Sequence, residues 1–174
     1  MIRTLLAVAA AGTVLSAHAE AQRACIRVST SDADSATFCP SGDEPATAGY
    51  GDYRVCPGYQ LPNLAFVTNQ SPGIRLEYSC DAHPSGQNPT RVNGEDCTGR
   101  GQVVRGFSIN LAGPNAQDYV LEYECWSAAS NICGPNLRHS GLLQAGEWCG
   151  DHFNSPRPWN QWWITRVMVH LRRR

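Results

Sequence analysis

The chain has 174 residues, of which 14 are cationic, 15 are acidic and 8 are cysteine. All 14 cationic residues are arginine, and the lack of lysine excludes Schiff-base lysine chemistry and a P-loop for nucleotide phosphates. A formal net charge of -1 argues against a nucleic-acid partner bound through a basic surface. With 16 Gly, 11 Pro and 17% charged residues, the composition is typical of an exported all-β domain.

The amino-terminal residues have the pattern of a secretory signal peptide. Arg3 gives a short basic start, residues 4–16 form an uncharged apolar run, and an Ala-x-Ala sequence ends at Ala19. The run is too short to span a bilayer, which takes about 20 apolar residues. We expect residues 1–19 to be the signal peptide, with cleavage after Ala19 or two residues later. Residues 20–174 are then one secreted or periplasmic domain without a transmembrane segment.

Cysteine spacing favours disulfides over a metal site. The cysteines of the expected mature chain are Cys25, Cys39, Cys56, Cys80, Cys97, Cys125, Cys133 and Cys149. An even number in an exported chain is typical of a disulfide framework, and no pair has the C-x-x-C spacing of a zinc site. We therefore expect neither a metal nor another cofactor, and no cysteine nucleophile.

An internal repeat organises the chain. The motif Leu-Glu-Tyr-x-Cys ends at Cys80 and again at Cys125, and each copy continues to a Gly-Glu-x-Cys element and an alternating apolar strand. A weaker copy at the front has strands at 25–30 and 64–68 and a Cys-Pro-Gly element at 56–58. The predicted repeats span about residues 23–69, 70–111 and 112–174.

The alternating apolar residues lie between clusters of Gly, Pro, Asn and Asp, which predicts strands throughout and an all-β fold. Three consecutive copies predict pseudo-three-fold symmetry, because no single small unit buries enough apolar surface alone. The predicted fold is a disulfide-stapled β-prism of three sheets, with a β-trefoil as the alternative. The first and last strands could pair and close the ring, which would remove a sheet edge.

The spacing of the cysteines suggests one disulfide within each repeat, which we call its clasp. Cys39–Cys56 and Cys80–Cys97 are both 17 apart, and Cys133–Cys149 is 16 apart. These three pairs, with Cys25–Cys125 between copies, are the predicted set. An alternative set exchanges Cys125 and Cys133.

The motifs resemble those of the vitelline membrane outer layer protein I family, which are secreted β-prisms with three repeats. The matching residues are 49–53 before Cys56-Pro57-Gly58, then 72–76, and 106–109. Residues 93–95 and 99–102, before the strand at 103–111, are also similar to clostridial hydrophobic-Trp repeats. The resemblance implies a fold and a secreted binding role without a fixed catalytic set.

The candidate ligand site is an insertion that mixes aromatic and polar residues at positions 151–163. Sugars bind by stacking on aromatic rings while carboxylates and amides take their hydroxyls. The candidates are Asp151, His152, Asn154, Trp159, Asn160, Trp162, Glu147 and Glu95. One of Trp162 and Trp163 is expected in the core.

Glu95 and Glu147 stand at matching positions, two residues before Cys97 and Cys149. They are either a ligand contact made once per repeat or turn residues that bond backbone amides beside a glycine. The leading functional hypothesis is a non-enzymatic, lectin-like protein whose partner is carbohydrate or a cell-envelope glycan. One alternative is a cell-wall glycan hydrolase using Glu147 and Asp151 as its two acids. Another is a protein interaction or inhibitor module.

Overall fold

The computed structural model describes residues 23–29, 35–40, 44–49, 63–68, 73–83, 86–87, 89–98, 102–129, 137–150 and 162–174. Its strands are β1 (Ala24–Ser29), β2 (Ser35–Phe38), β3 (Ala46–Gly49), β4 (Asn63–Thr68), β5 (Arg75–His83), β6 (Gly86–Gln87), β7 (Arg91–Val92), β8 (Val103–Ala112), β9 (Tyr119–Ala129), β10 (Leu137–His139), β11 (Leu143–Gln144), β12 (Cys149–Gly150) and β13 (Trp162–Arg173). A single 3-10 turn, Ala116–Asp118, precedes β9 within these ranges. The prediction of an all-β fold is confirmed.

The strands form three antiparallel sheets. The first has the order β2-β1-β4, the second β12-β8-β5-β6 with β7 also on β5, and the third β10-β9-β13-β3 with β11 also on β9. Each sheet is centred on the two long strands of one predicted copy: β1 with β4, β5 with β8, and β9 with β13. The alternating apolar residues of these strands point inward and form the core.

Each sheet is extended by a segment from another predicted copy. β12 of the third copy pairs with β8 of the second, and β3 of the first copy pairs with β13 of the third. In the second copy, the Gly94 amide donates to the Phe66 carbonyl (2.8 Å) and the Cys97 amide to the Leu64 carbonyl (2.7 Å) of β4. The exchange of segments is therefore cyclic.

The prediction that the first and last strands pair is wrong. β1 has β2 on one side and β4 on the other, so both of its edges are already occupied. β3 instead covers the edge of β13, with Gly49 opposite Arg166.

A β-bulge marks two of the three exchange points. Arg105 is the extra residue of β8, and Thr165 is the extra residue of β13, each lying where the register with the neighbouring strand shifts. The crossing strand brings a glycine against each bulge, Gly150 beside the Arg105 carbonyl and Gly49 beside the Thr165 carbonyl. Both glycines have positive φ, 93° and 127°, a backbone conformation that other residues rarely adopt.

Aromatic rings connect the sheets through the core. Phe66 of β4 contacts Tyr78 of β5 edge-on and Phe107 of β8, both with centroids 5.1 Å apart, and Phe107 lies 5.9 Å from Tyr123 of β9. All four side chains are buried. The rings therefore form a continuous chain of contacts across all three predicted copies.

The six cysteines within the described residues form three disulfides. Cys80–Cys97 confirms one predicted clasp, and Cys125–Cys149 agrees with half of the alternative set. Cys125–Cys149 shows that the predicted pair Cys133–Cys149 is wrong. The third bond, Cys25–Cys39, shows that the predicted pairs Cys39–Cys56 and Cys25–Cys125 are wrong. It also shows that Cys25–Cys133 of the alternative set is wrong. Cys56 and Cys133 lie outside the described residues.

The register of the sheets explains this pairing. Cys80 and Cys125 occupy equivalent positions on the first long strand of their copies, opposite Phe107 and Val167. In the first copy that position holds Val28, which is opposite Leu64 of β4. The first copy therefore lacks the cysteine that would form the shared clasp, and Cys25 pairs instead with nearby Cys39.

Stability should fall at alkaline pH because two core tyrosines resist ionisation. Burial raises the pKa of Tyr78 and of Tyr123 to about 12, and both hydroxyls donate to backbone carbonyls, of Glu95 and Glu147 respectively. The folded protein therefore holds these protons more tightly than the unfolded chain, whose tyrosines ionise near pH 10. The stabilisation is complete below about pH 10 and is lost as the pH rises towards about 12, by about 2–3 kcal/mol for each residue.

Urea unfolding measured over this pH range, with tyrosinate absorbance recorded in parallel, checks the alkaline loss of stability. A Tyr123→Phe variant should show a smaller loss, because one of the two titrations is removed. Stability that stays constant up to pH 12 would contradict the expectation.

Candidate functional site

The strand directions place both flanks of the predicted ligand insertion at one end of the sheets. β9 ends at Ala129, opposite Trp162 at the start of β13, and β12 ends at Gly150 on the edge of β8. Gly150 and Trp162 are the two residues that enclose residues 151–161. We call this end of the sheets the loop end.

Most of the predicted site residues lie outside the described residues: Asp151, His152, Asn154, Trp159 and Asn160. Trp162 is described only as the first residue of β13, and its side chain is outside the description. The neighbouring Trp163 is buried, so the expectation that one of these two tryptophans belongs to the core is confirmed.

Glu95 and Glu147 have equivalent structural roles in two turns. The Glu95 carboxylate accepts the Val92 amide (2.9 Å), and the Glu147 carboxylate accepts the Gln144 amide (2.6 Å). Their own amides donate back to the carbonyls of the same two residues. Each acid thus closes the turn that precedes a crossing segment, which agrees with the turn interpretation of these residues.

The two acids do not form a pair. The turn containing Glu95 packs on β4 of the first sheet through Gly94, and the turn containing Glu147 packs on β8 of the second sheet through Gly146. They therefore lie on different sheets, as expected for residues related by the repeat, and do not form a two-carboxylate centre.

A recess of about 240 Å³ beside the third sheet brings together aromatic and hydroxyl groups. Its described lining is Cys125, Ser127, His139, Ser140, Leu143, Trp148 and Gly150. We call it the Trp148 recess. It lies beside residues 147–150, which run from the turn closed by Glu147 through β12 towards the loop end.

The backbone holds Trp148 in a fixed position within this recess. On one side Glu147 closes the turn, and on the other Cys149 pairs with Phe107 and forms its disulfide with Cys125. Ser140 is also held, because its hydroxyl accepts the Cys125 amide at 3.0 Å. The recess is therefore preorganised by backbone contacts and a disulfide.

His139 also belongs to a stacked cluster on the outer surface of the third sheet. Its ring stacks on Trp126 with centroids 4.5 Å apart and an interplanar angle of 9°. Arg166, from the strand on the other side of β9, places its guanidinium carbon 4.6 Å from the Trp126 ring centre. A His139 nitrogen lies 2.7 Å from a Glu124 carboxylate oxygen.

Sequence reasoning missed this cluster. His139, Trp126 and Arg166 stand directly opposite one another on three adjacent strands, β10, β9 and β13. The repeat gave a partial signal of it. The residue after the motif cysteine is an acid, Asp81, in the second copy but an aromatic, Trp126, in the third.

An ion pair continues the polar surface of the third sheet. Arg172 lies 3.2 Å from Glu122 across β13 and β9, and this hydrogen-bonded guanidinium lowers the pKa of the Glu122 carboxyl. The outer positions of β9 thus carry Glu122, Glu124 and Trp126, each engaged by a neighbouring strand.

The described residues contain no cluster of three or more His, Cys, Asp or Glu able to hold a metal ion. Nor does any helix in the described ranges have the length and apolar content to cross a membrane. Comparison of the chain with protein-family models, curated proteins and solved structures gives no match. The three disulfides indicate an oxidising, extracytoplasmic environment.

Proposed function

We propose that this protein is an extracytoplasmic β-prism that binds glycans in a lectin-like manner. Three antiparallel sheets, each centred on one copy and extended by a segment of another, support a prism in preference to a trefoil. The resemblance of the repeat motifs to vitelline membrane outer layer protein I points to the same architecture. A rigid ring of sheets with recesses between its elements is a suitable scaffold for binding.

The observation that carries the proposal is the Trp148 recess. Trp148, His139, Ser127 and Ser140 line it around about 240 Å³. The His139 ring is also stacked on Trp126, and the Ser140 hydroxyl bonds to the backbone of Cys125 and Gly141. The volume of the recess is below the roughly 300–1,000 Å³ of sites for drug-sized ligands and suits a single sugar ring. The aromatic ring would take the C–H face of the sugar, and the polar groups would bond its hydroxyls.

Binding is favoured over hydrolysis by the role of Glu147. Its carboxylate already accepts a backbone amide at 2.6 Å and closes a turn. A glycan hydrolase needs two acids about 5–10 Å apart, and Glu95 is on another sheet. The proposed companion of Glu147, Asp151, lies outside the described residues.

A Trp148→Ala variant is expected to bind glycans about 5- to 30-fold more weakly, because the stacking contact is worth on the order of 1–2 kcal/mol. A glycan array that includes peptidoglycan fragments, probed with the oxidised protein, identifies the ligand, and calorimetry then compares the variants. Phe38→Ala serves as control, because Phe38 is an exposed aromatic on the first sheet, away from the recess. Failure to bind any glycan would overturn the proposal, and undiminished binding by Trp148→Ala would remove this recess as the site.

A further inference from the structure

Two further recesses occupy equivalent places in the second and third copies. The first, about 290 Å³, is lined by Gly73, Ile74, Arg75, Val92, Asn93, Gly113 and Pro114. The second, about 270 Å³, has Asn110, Tyr119, Val120, Gln144, Ala145 and Arg174 in its lining. We call them the Arg75 recess and the Arg174 recess.

The repeat register establishes that these recesses correspond. Aligning Cys80 with Cys125 places Ile74 and Arg75 on Tyr119 and Val120. Aligning the two turn glycines places the Val92-Asn93 pair on the Gln144-Ala145 pair in the same way. Each recess is thus formed where the first long strand of a copy begins, beside the turn that precedes the crossing segment.

Hydrogen-bond donors of the Arg75 recess are held in known orientations. The Asn93 side-chain oxygen accepts the Thr68 amide (2.9 Å) and the Thr68 hydroxyl (3.3 Å), so its NH₂ group faces away from Thr68. Glu77 contacts Nε and Nη2 of Arg75 at 2.8 Å, so Nη1 faces away from Glu77. Asn93 and Arg75 therefore direct amide and guanidinium donors away from their protein partners.

The Arg174 recess carries the same donor types on different residues. Arg174 is anchored by its backbone amide, which donates to the Asp118 carbonyl at 2.9 Å. Asn110 and Gln144 line this recess in place of Asn93, and the Gln144 side-chain amide donates to Glu122 at 3.5 Å. The acids beside the two recesses, Glu77 and Glu122, are each paired with an arginine, Arg75 and Arg172.

We propose that each of these recesses binds one carboxylated sugar, so that the protein holds an acidic glycan at two points. A guanidinium pairs with a carboxylate through strong charge-assisted hydrogen bonds, and side-chain amides suit sugar hydroxyls. Both recesses lie at the end of the sheets opposite the loop end, where Arg75 faces Ala112 and Tyr119 faces Arg173. Two sites on one surface gain avidity for a polymer. The inference rests on the proposed glycan-binding function and names its ligand class.

The test titrates the oxidised protein with a short galacturonic acid oligomer and with its methyl ester, which lacks the charge. The parent protein should bind two oligomers, and the ester should bind at least about tenfold more weakly at low salt. Arg75→Gln and Arg174→Gln should each abolish one site, and the double variant both. Arg173→Gln is the control, because it removes the same charge from the neighbouring residue, which does not line the recess. Thermal unfolding verifies that each variant is folded.

Each outcome separates this inference from the proposed function. Equal binding of acid and ester, or full binding by the double variant, overturns the carboxylate sites. Binding of a neutral glycan that depends on Trp148, without binding of the galacturonate oligomer, overturns the carboxylate sites and leaves the proposed function standing. Binding of no glycan at all overturns both.

Discussion

A Gly150→Ala variant is expected to lose about 3 kcal/mol or more of its free energy of unfolding. A Cβ on Gly150 would lie 2.4 Å from the Arg105 carbonyl oxygen and 2.9 Å from the Gly106 Cα, and both of these are backbone atoms. Neither can move without displacing the bulge of β8, and the positive φ of 93° adds strain for any residue with a side chain. Gly49→Ala should behave in the same way, because its Cβ would lie 2.3 Å from the Thr165 oxygen.

Gly141→Ala is the matched control for these substitutions. Gly141 also has a positive φ, 74°, but a Cβ there would meet no atom within 4 Å. Only the backbone cost of about 1–2 kcal/mol should appear. Urea unfolding compares the three variants, and equal losses at Gly150 and Gly141 would show that close approach of the strands is not what requires glycine at Gly150.

Phe107→Ala should destabilise the protein by about 3–5 kcal/mol, the range for removing a buried phenylalanine. Phe107 is 0% exposed and stands between the rings of Phe66 and Tyr123. Its removal leaves a cavity where the aromatic chain joins the first copy to the third, so neither neighbour can close the gap alone.

Phe38→Ala provides the control for this substitution. Phe38 is 42% exposed on the edge strand β2, and its loss should cost less than about 1 kcal/mol. Chemical denaturation of both variants measures the difference. A similar small cost for Phe107→Ala would indicate that the core collapses onto the vacated space.

The strands were predictable because their signal is local. Alternation of apolar and polar residues on β5, β8, β9 and β13 follows from one face packing on the core, and the glycines and prolines between them mark the turns. The motif Leu-Glu-Tyr-x-Cys also aligned the copies correctly, since Tyr78 and Tyr123 donate to equivalent turn carbonyls.

Disulfide pairing was less predictable because equal spacing was mistaken for equivalent position. Cys39 and Cys56 are as far apart as Cys80 and Cys97, yet Cys39 bonds to Cys25. The equivalent of Cys80–Cys97 is Cys125–Cys149, which spans β10 and β11 as Cys80–Cys97 spans β6 and β7, but over 24 residues instead of 17. The shared motif, rather than the loop length, identifies the clasp.

The recesses and the cluster around Trp126 could not be predicted from the sequence, because they are formed by residues from distant segments. Trp126 meets His139 and Arg166 only through the register of three strands. Arg174 and Asn110 line one recess although they are far apart in the sequence. A linear motif reports neighbours along the chain, and it cannot report which strands become adjacent.

The cyclic exchange of segments has a consequence for the order of folding during synthesis. β3 is synthesised early, but its partner β13 is made last among the described strands. Gly49 therefore cannot pair with Arg166 until most of the chain has been made. The disulfides Cys25–Cys39, Cys80–Cys97 and Cys125–Cys149 join cysteines only 14, 17 and 24 residues apart and do not depend on β13. Oxidation can therefore proceed one copy at a time, whereas the third sheet, in which β13 lies between β9 and β3, is completed only when β13 arrives. The third sheet thus stays open until β13 is made, and the three disulfides, which indicate an oxidising, extracytoplasmic environment, can form before it closes.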